Sequence, residues 1–217
     1  MKPAPPVTTA RICAYRRQSM FVTFEGVDGS GKSTQAKLLA EWLEEGGHRV
    51  LLTREPGGTP VGEAVRKLVL DGDEMTDWTE AALFAAARAE HVARAIRPAL
   101  EAGLHVVCDR YIDSSVAYQG IARGLGEELV RDLSLTVTGG LLPERTFVLL
   151  VDPAAAIARS SARLDRIERA ADGFMERVDL AYRALARAEP ARIVALDGAR
   201  SAEELHEEIR EHVRAVL

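Results

Sequence analysis

The run Phe24-Glu25-Gly26-Val27-Asp28-Gly29-Ser30-Gly31-Lys32-Ser33-Thr34 concentrates the chemistry of this chain. From Gly26 to Ser33 it satisfies G-x-x-x-x-G-K-[ST], the spacing of a phosphate-binding loop. Gly26, Gly29 and Gly31 can take backbone angles that aim successive N–H groups at a phosphate. A helix starting here adds its positive end. Lys32 brings a full charge to the β- and γ-phosphates of a nucleoside triphosphate, and Ser33 offers a hydroxyl to Mg²⁺. Residues Gly26, Val27, Asp28, Gly29, Ser30, Gly31, Lys32, Ser33 and Thr34 are therefore the expected ATP-binding set. The alternative is a glycine-rich turn that binds nothing. The context argues against it: Met20-Phe21-Val22-Thr23-Phe24 reads as a buried strand, and Leu38, Leu39, Trp42 and Leu43 recur at helical spacing.

Asp109 is a second anchor. It ends the apolar run Leu104-His105-Val106-Val107-Cys108. A strand that ends in Asp, away from the glycine loop, is how such enzymes present a carboxylate to Mg²⁺ or its waters, so Ser33 and Asp109 form the expected metal pair. Arg110 follows and can reach the same crevice. By itself an Asp-Arg pair at a strand end reads more readily as a structural ion pair; the glycine loop shifts the balance to function. Arg159, Arg163, Arg166 and Arg169 crowd into one short helical stretch. A solvated helix face is the ordinary meaning of such a run, and a cap of positive charge over phosphates is the other.

These groups need a scaffold that gathers them. Five short apolar stretches read as strands: Met20–Phe24, Arg49–Thr53, Leu104–Asp109, Phe147–Val151 and Arg192–Leu196. Helical patterns separate them, including Asp77 to Leu100, Asp113 to Arg123 and Glu127 to Val137. Ser201 with Glu204 makes a capping box for a last helix. Alternating strands and helices imply parallel pairing with right-handed crossovers, a three-layer α/β/α fold. The turn Arg54-Glu55-Pro56-Gly57-Gly58-Thr59 falls at a strand's carboxyl end, the edge where open α/β sheets bind ligands.

Composition bounds the rest. At 217 residues, 47% hydrophobic and 28% charged, the chain suits one α/β domain, expected over residues 20–217. The proline-rich residues 1–19 are expected to be a disordered extension. A net charge of −5 argues against a general nucleic-acid binder. No apolar run is long enough to span a membrane, and the chain is expected to be cytoplasmic. Cys108 lies in an apolar run and reads as a buried free thiol.

Several stretches together resemble bacterial thymidylate kinases, P-loop kinases of nucleoside monophosphates. They are the glycine loop, Thr53-Arg54-Glu55-Pro56-Gly57-Gly58-Thr59, Leu83-Phe84-Ala85-Ala86-Ala87-Arg88, Asp109-Arg110-Tyr111-Ile112-Asp113-Ser114-Ser115-Val116-Ala117-Tyr118-Gln119-Gly120, and Leu164-Asp165-Arg166-Ile167-Glu168. The resemblance covers residue 20 to the C-terminus and is most specific at 109–120. It implies transfer of the γ-phosphoryl of ATP to dTMP with Mg²⁺, a five-stranded parallel core with a mobile arginine-rich lid at about 157–172, and a homodimer. It places Phe84 against thymine and Arg88, Ser115 and Gln119 at the base edge. Tyr118 would crowd the sugar's 2′ carbon, Asp28 would lie near the 3′-hydroxyl, and Arg66 and Arg110 would hold the acceptor phosphate. Pro56 would follow a cis peptide bond at the same site.

The family sets its mobile arginine in the glycine loop or in the lid. Val27, Asp28, Gly29 and Ser30 include no basic residue, so the expected catalytic set is Lys32 and Arg110 with Arg159 and Arg163 from the lid; Arg166 is expected to hold the lid in place. Many relatives carry Asp before the base-reading arginine where this chain has Ala87. Two other readings stay open on sequence: a deoxynucleotide kinase of different base preference, and a nucleotide-binding switch with no small acceptor.

Overall fold

The computed structural model describes residues 19–159, 166–167 and 173–217. The expected extension, apart from Ser19, and most of the expected lid, including Arg163, lie outside the described residues.

Five strands form one parallel sheet in the order β2-β3-β1-β4-β5. They are β1 (Phe21–Glu25), β2 (Val50–Arg54), β3 (His105–Asp109), β4 (Arg145–Leu150) and β5 (Ile193–Asp197). Side chains alternate across a strand, so β1 feeds two cores. Val22 and Phe24 join Leu39, Leu43, Phe147 and Leu149 beneath α1 (Lys32–Glu45) and the C-terminal helix. On the other face Phe21 joins Val106, Val148, Ile112 and Tyr182. The three layers expected from the strand–helix alternation are present.

The helices of the second layer start where local chemistry allows. Helix α2 (Pro60–Asp71) begins with Pro60, and the Thr59 side chain accepts from the Gly62 N–H. Helix α3 (Asp77–His91) is capped by Thr76. The single helix expected from Asp77 to Leu100 is instead interrupted by a π-helical turn, Val92–Ile96, before α4 (Arg97–Glu101). Pro98 lacks an N–H and its ring would crowd the carbonyl four residues back; a wider turn accommodates both. A second π-helical stretch, Val116–Ala122, continues α5 (Ile112–Ser115) and carries Tyr118 and Gln119. Helices α6 (Glu127–Thr138), α7 (Pro153–Arg159), α8 (Phe174–Ala188) and α9 (Ala202–Arg214) complete the described elements. Ser201 and Glu204 form the expected reciprocal cap.

Strand ends differ from the apolar runs by one or two residues. Strand β4 starts at Arg145 because Arg145 and Thr146 pair with Val22 and Thr23 of β1; backbone pairing, not side-chain polarity, sets the limit. Cys108 is buried and free, and burial pushes its thiol well up from the ordinary value.

The sheet order fixes the site. β1 lies beside β3, with Phe24 opposite Asp109. The glycine loop leaves the carboxyl end of β1 directly beside the carboxylate that ends β3, the edge where α/β sheets bind ligands.

Candidate active site

The loop after β1 has the backbone its glycines make possible. Gly26, Gly29 and Gly31 have φ of 136°, 79° and 96°. A Cβ on Gly29 would stand 2.1 Å from the Ala156 carbonyl oxygen of α7, so the loop and that helix touch through backbone alone. Gly31 caps α1 with no side-chain hydrogen bond, and no acidic residue occupies the first turn. The helix start is left open for an anion. Ser30 Oγ is buried without a partner among the described residues.

Three charges meet over this loop. Asp28 Oδ1 accepts from Lys32 Nζ at 2.6 Å and from Arg110 Nη2 at 2.7 Å. Burial alone would raise the Asp28 carboxyl, yet Arg110 and Lys32 hold it well below the usual carboxylate range. Burial, reinforced by Arg110, lowers Lys32. Burial also opposes the charge on Arg110, but Asp28 holds it above its ordinary value. Arg110 has φ 70°, a left-handed backbone found at no other described non-glycine residue. The conformation is fixed from both sides. The Tyr111 N–H donates to Glu25 Oε1 at 2.7 Å, and Arg110 Nη1 donates to Ser114 Oγ at 3.1 Å. Ser114 in turn donates to Glu25 Oε2, as does the Tyr182 hydroxyl at 3.1 Å.

Asp109 Oδ2 accepts from Ser33 Oγ. Its Oδ1 is buried with no partner among the described residues. A hydroxyl and a carboxylate with a spare oxygen are hard donors suited to Mg²⁺, which takes one or two protein ligands and completes its shell with phosphate oxygens and water. No cluster of three His, Cys, Asp or Glu that could hold a metal ion occurs among the described residues.

Beside the loop opens a cleft. Asp28, Pro56, Arg66, Phe84, Arg88, Arg110, Ser115, Tyr118 and Gln119 all line it, so the structure brings the whole expected acceptor set together. The Glu55–Pro56 peptide is cis. Arg66 Nη1 donates to the Pro56 carbonyl at 3.1 Å; burial and the neighbouring Arg54 lower it from its ordinary value. Arg88 is almost fully held from behind. Its Nε donates to Glu55 Oε2 (2.8 Å), Nη1 to Ser134 Oγ (3.0 Å), and Nη2 to the Tyr111 carbonyl and Ser115 Oγ (3.0 Å each). A guanidinium has five N–H donors; these bonds use four and leave one on Nη1. Ala87 is buried beside it.

Of the arginines expected in the lid, Arg159 ends α7, exposed, with Nη1 donating to the Gly198 carbonyl at 2.9 Å. Arg166 is buried. It donates from Nη2 to Glu80 Oε2 at 2.6 Å and from Nε to the Val69 carbonyl at 2.9 Å. These bonds tie the Arg166–Ile167 segment to the end of α2 and the start of α3.

The sequence reading gave no role to Glu25, Glu80 or His91. Glu55, Leu70, Tyr111, Ser114 and Ile167 also line the cleft. One signal was available: Glu80, Phe84, Arg88 and His91 recur at spacings of four, four and three on α3. Charged residues on the buried stripe of a helix need partners, and partners there converge on a site.

The family model described as Thymidylate kinase matches residues 24–209. A thymidylate kinase of Symbiobacterium thermophilum is 50% identical over 202 residues, covering 92% of this chain and 94% of its own. One of Gloeobacter violaceus is 48% identical over 203 residues, covering 91% and 96%. Among solved structures, a thymidylate kinase of Ehrlichia chaffeensis matches with a TM-score of 0.74 at 36% identity, covering 90% of this chain and 98% of its own.

Proposed function

Because the chain belongs to the thymidylate kinase family, we infer that it transfers the γ-phosphoryl of ATP to dTMP, giving dTDP and ADP. The observation that carries this reading is the Lys32–Asp28–Arg110 bridge, which joins a donor-phosphate loop to a separate nucleoside-sized cleft. A switch that binds one nucleotide has no use for the second pocket.

No general base is required. The attacking atom is an oxygen of the dTMP phosphate, largely ionised at neutral pH because a phosphate monoester loses its second proton near pH 6. The difficulty is to bring two anions together while charge spreads over the group in transit. The chain answers with fixed positive groups. In our reading Lys32 and the loop amides hold the donor phosphates, while Arg66 and Arg110 hold the acceptor phosphate. Asp28 keeps Lys32 and Arg110 at one point, so the two phosphates are drawn together there. Ser33 Oγ and Asp109 would hold Mg²⁺, which supplies charge neutralisation on the β- and γ-oxygens. Phe84 would lie on the thymine ring, Arg88, Ser115 and Gln119 would read its edge, and Tyr118 would exclude a 2′-hydroxyl. Pro56 shapes the floor of the same cleft. Arg159 and Arg163 would complete the charge on the transferring group; Arg159 stands at the end of the helix that touches the loop. A homodimer and a cytoplasmic setting belong to the proposal as properties of the family it resembles.

The test is ADP release from Mg-ATP with dTMP, dUMP, dCMP, dGMP and dAMP offered separately, beside Lys32→Ala. Turnover with dTMP, lost in the variant, is the expected result. Equal turnover with every acceptor refutes the assignment of the base pocket, and nucleotide binding without turnover refutes the kinase.

A further inference from the structure

Behind the base-reading face of the cleft lies a buried carboxylate to which the proposed mechanism gives no part. Glu80, in the first turn of α3, is 1% exposed. Its Oε1 accepts from Gln119 Nε2 at 2.8 Å. Its Oε2 accepts from Arg166 Nη2 at 2.6 Å and Arg123 Nη2 at 3.0 Å. Glu80 thus joins a cleft residue on the Val116–Ala122 turn to the segment that carries Ile167. That segment is pinned twice more, by the Arg166 N–H on the Leu70 carbonyl at 3.0 Å and by Arg166 Nε on the Val69 carbonyl. Leu70 and Ile167 line the same cleft as Gln119.

A carboxylate between two guanidinium groups can only accept hydrogen bonds. The Gln119 amide must therefore turn its NH₂ towards Glu80. Its Oε1 has no partner among the described residues and is the atom left for the cleft. An acceptor there suits a pyrimidine whose ring nitrogen at the pairing edge carries hydrogen, as thymine does. Cytosine carries a lone pair at that atom and would set acceptor against acceptor.

We propose that Glu80 is a specificity-determining positioning residue: one oxygen fixes the Gln119 amide oxygen towards the base, while the other, through Arg166, holds the Ile167 side of the cleft in place without setting the choice of base. The inference rests on the reading of this cleft as the dTMP site. It assigns the rejection of cytosine to a residue that never touches the base. Without an obligate acceptor at position 80, the Gln119 amide can rotate and present its NH₂, which suits cytosine. A site that loses a fixed hydrogen-bonding pattern loses discrimination, because the wrong base no longer leaves a buried polar group unpaired.

The experiment compares kcat/KM for dTMP and dCMP in the unsubstituted protein, Glu80→Gln and Arg166→Met. Glu80→Gln can offer its own NH₂ to the Gln119 oxygen, so the dTMP:dCMP ratio should fall at least tenfold, with KM for dTMP rising more than kcat falls. Arg166→Met removes only the clamp and should weaken both acceptors while leaving their ratio within about threefold. Should Glu80→Gln fail to fold, Glu80→Asp keeps the charge between the arginines and withdraws the acceptor from Gln119 by one methylene; the same fall in ratio is expected. An unchanged ratio in a folded position-80 variant, or an equal fall in Arg166→Met, overturns the proposal. If the unsubstituted protein does not use dTMP, the kinase reading fails and this inference falls with it. Selective turnover that survives in the variants refutes the inference alone.

Discussion

Arg88→Met is the substitution whose cost the structure defines most completely. Arg88 and Glu55 are buried together, with side chains 2% and 3% exposed, and are joined by a 2.8 Å ion pair. Methionine replaces the stem at similar length but leaves the Glu55 carboxylate without its guanidinium, with only the buried His91 ring at 3.0 Å as a side-chain partner among the described residues, and leaves the Tyr111 carbonyl without a donor. Ser134 and Ser115 can rotate their hydroxyls and lose less. Stranding one partner of a buried pair costs about 3–5 kcal/mol. In a chain of this size each kcal/mol moves the melting temperature by about 2–4 °C, so the expected drop is roughly 6–20 °C. Urea unfolding at pH 7.5, followed by circular dichroism, measures the difference. The double variant Arg88→Met/Glu55→Gln removes the stranded charge and should recover part of the loss, because the two sites share one interaction. A single variant within about 1 kcal/mol of the parent, the size of an ordinary substitution, would refute the claim that Arg88 is held as a buried ion. So would a double variant no more stable than the single one.

Gly29→Ala should abolish nucleotide binding while the fold survives: φ is 79°, and the new methyl would meet the Ala156 carbonyl oxygen at 2.1 Å. A thermal shift on adding Mg-ATP, present in the parent and missing in the variant, is the expected outcome; an undiminished shift contradicts the loop geometry. A pH effect follows from Glu25. Burial, then the nearby charge of Asp113, raises its carboxyl from 4.5 to about 7. Between those values the folded chain holds a proton that the unfolded chain has lost, so this group's contribution to stability is full below about pH 4.5 and declines as pH rises through 7. Glu25→Gln lacks that decline. Its stability relative to the parent should therefore increase from pH 5 to pH 8, and a difference that does not change with pH would show that Glu25 titrates normally.

What the sequence made legible and what it hid divide along one physical line. The glycine loop, Asp109 at its strand end and the Phe84–Arg88 helix face are local patterns, each dictated by the backbone within a few residues, and the structure places them together. The supports are not local. Glu80 meets Arg166 across 86 positions, and Glu25 meets Tyr182 across 157; no periodicity encodes such pairs. The two π-helical stretches were hidden for a related reason, since the sequence pattern of a π turn is that of the helix around it. The buried carboxylates obey one rule all the same. A site that binds two phosphorylated nucleotides must collect cations, and cations without phosphates repel one another. Three groups of positive charge among the described residues are each held by an acid: Lys32 and Arg110 by Asp28, Arg88 by Glu55, Arg123 and Arg166 by Glu80. Only Asp28 is substantially exposed, at 40% of its side chain. It is the one acid among them whose cations can pass to incoming phosphates without leaving a buried charge behind. The other two acids are 3% and 1% exposed, so their arginines cannot be drawn away without stranding a buried charge.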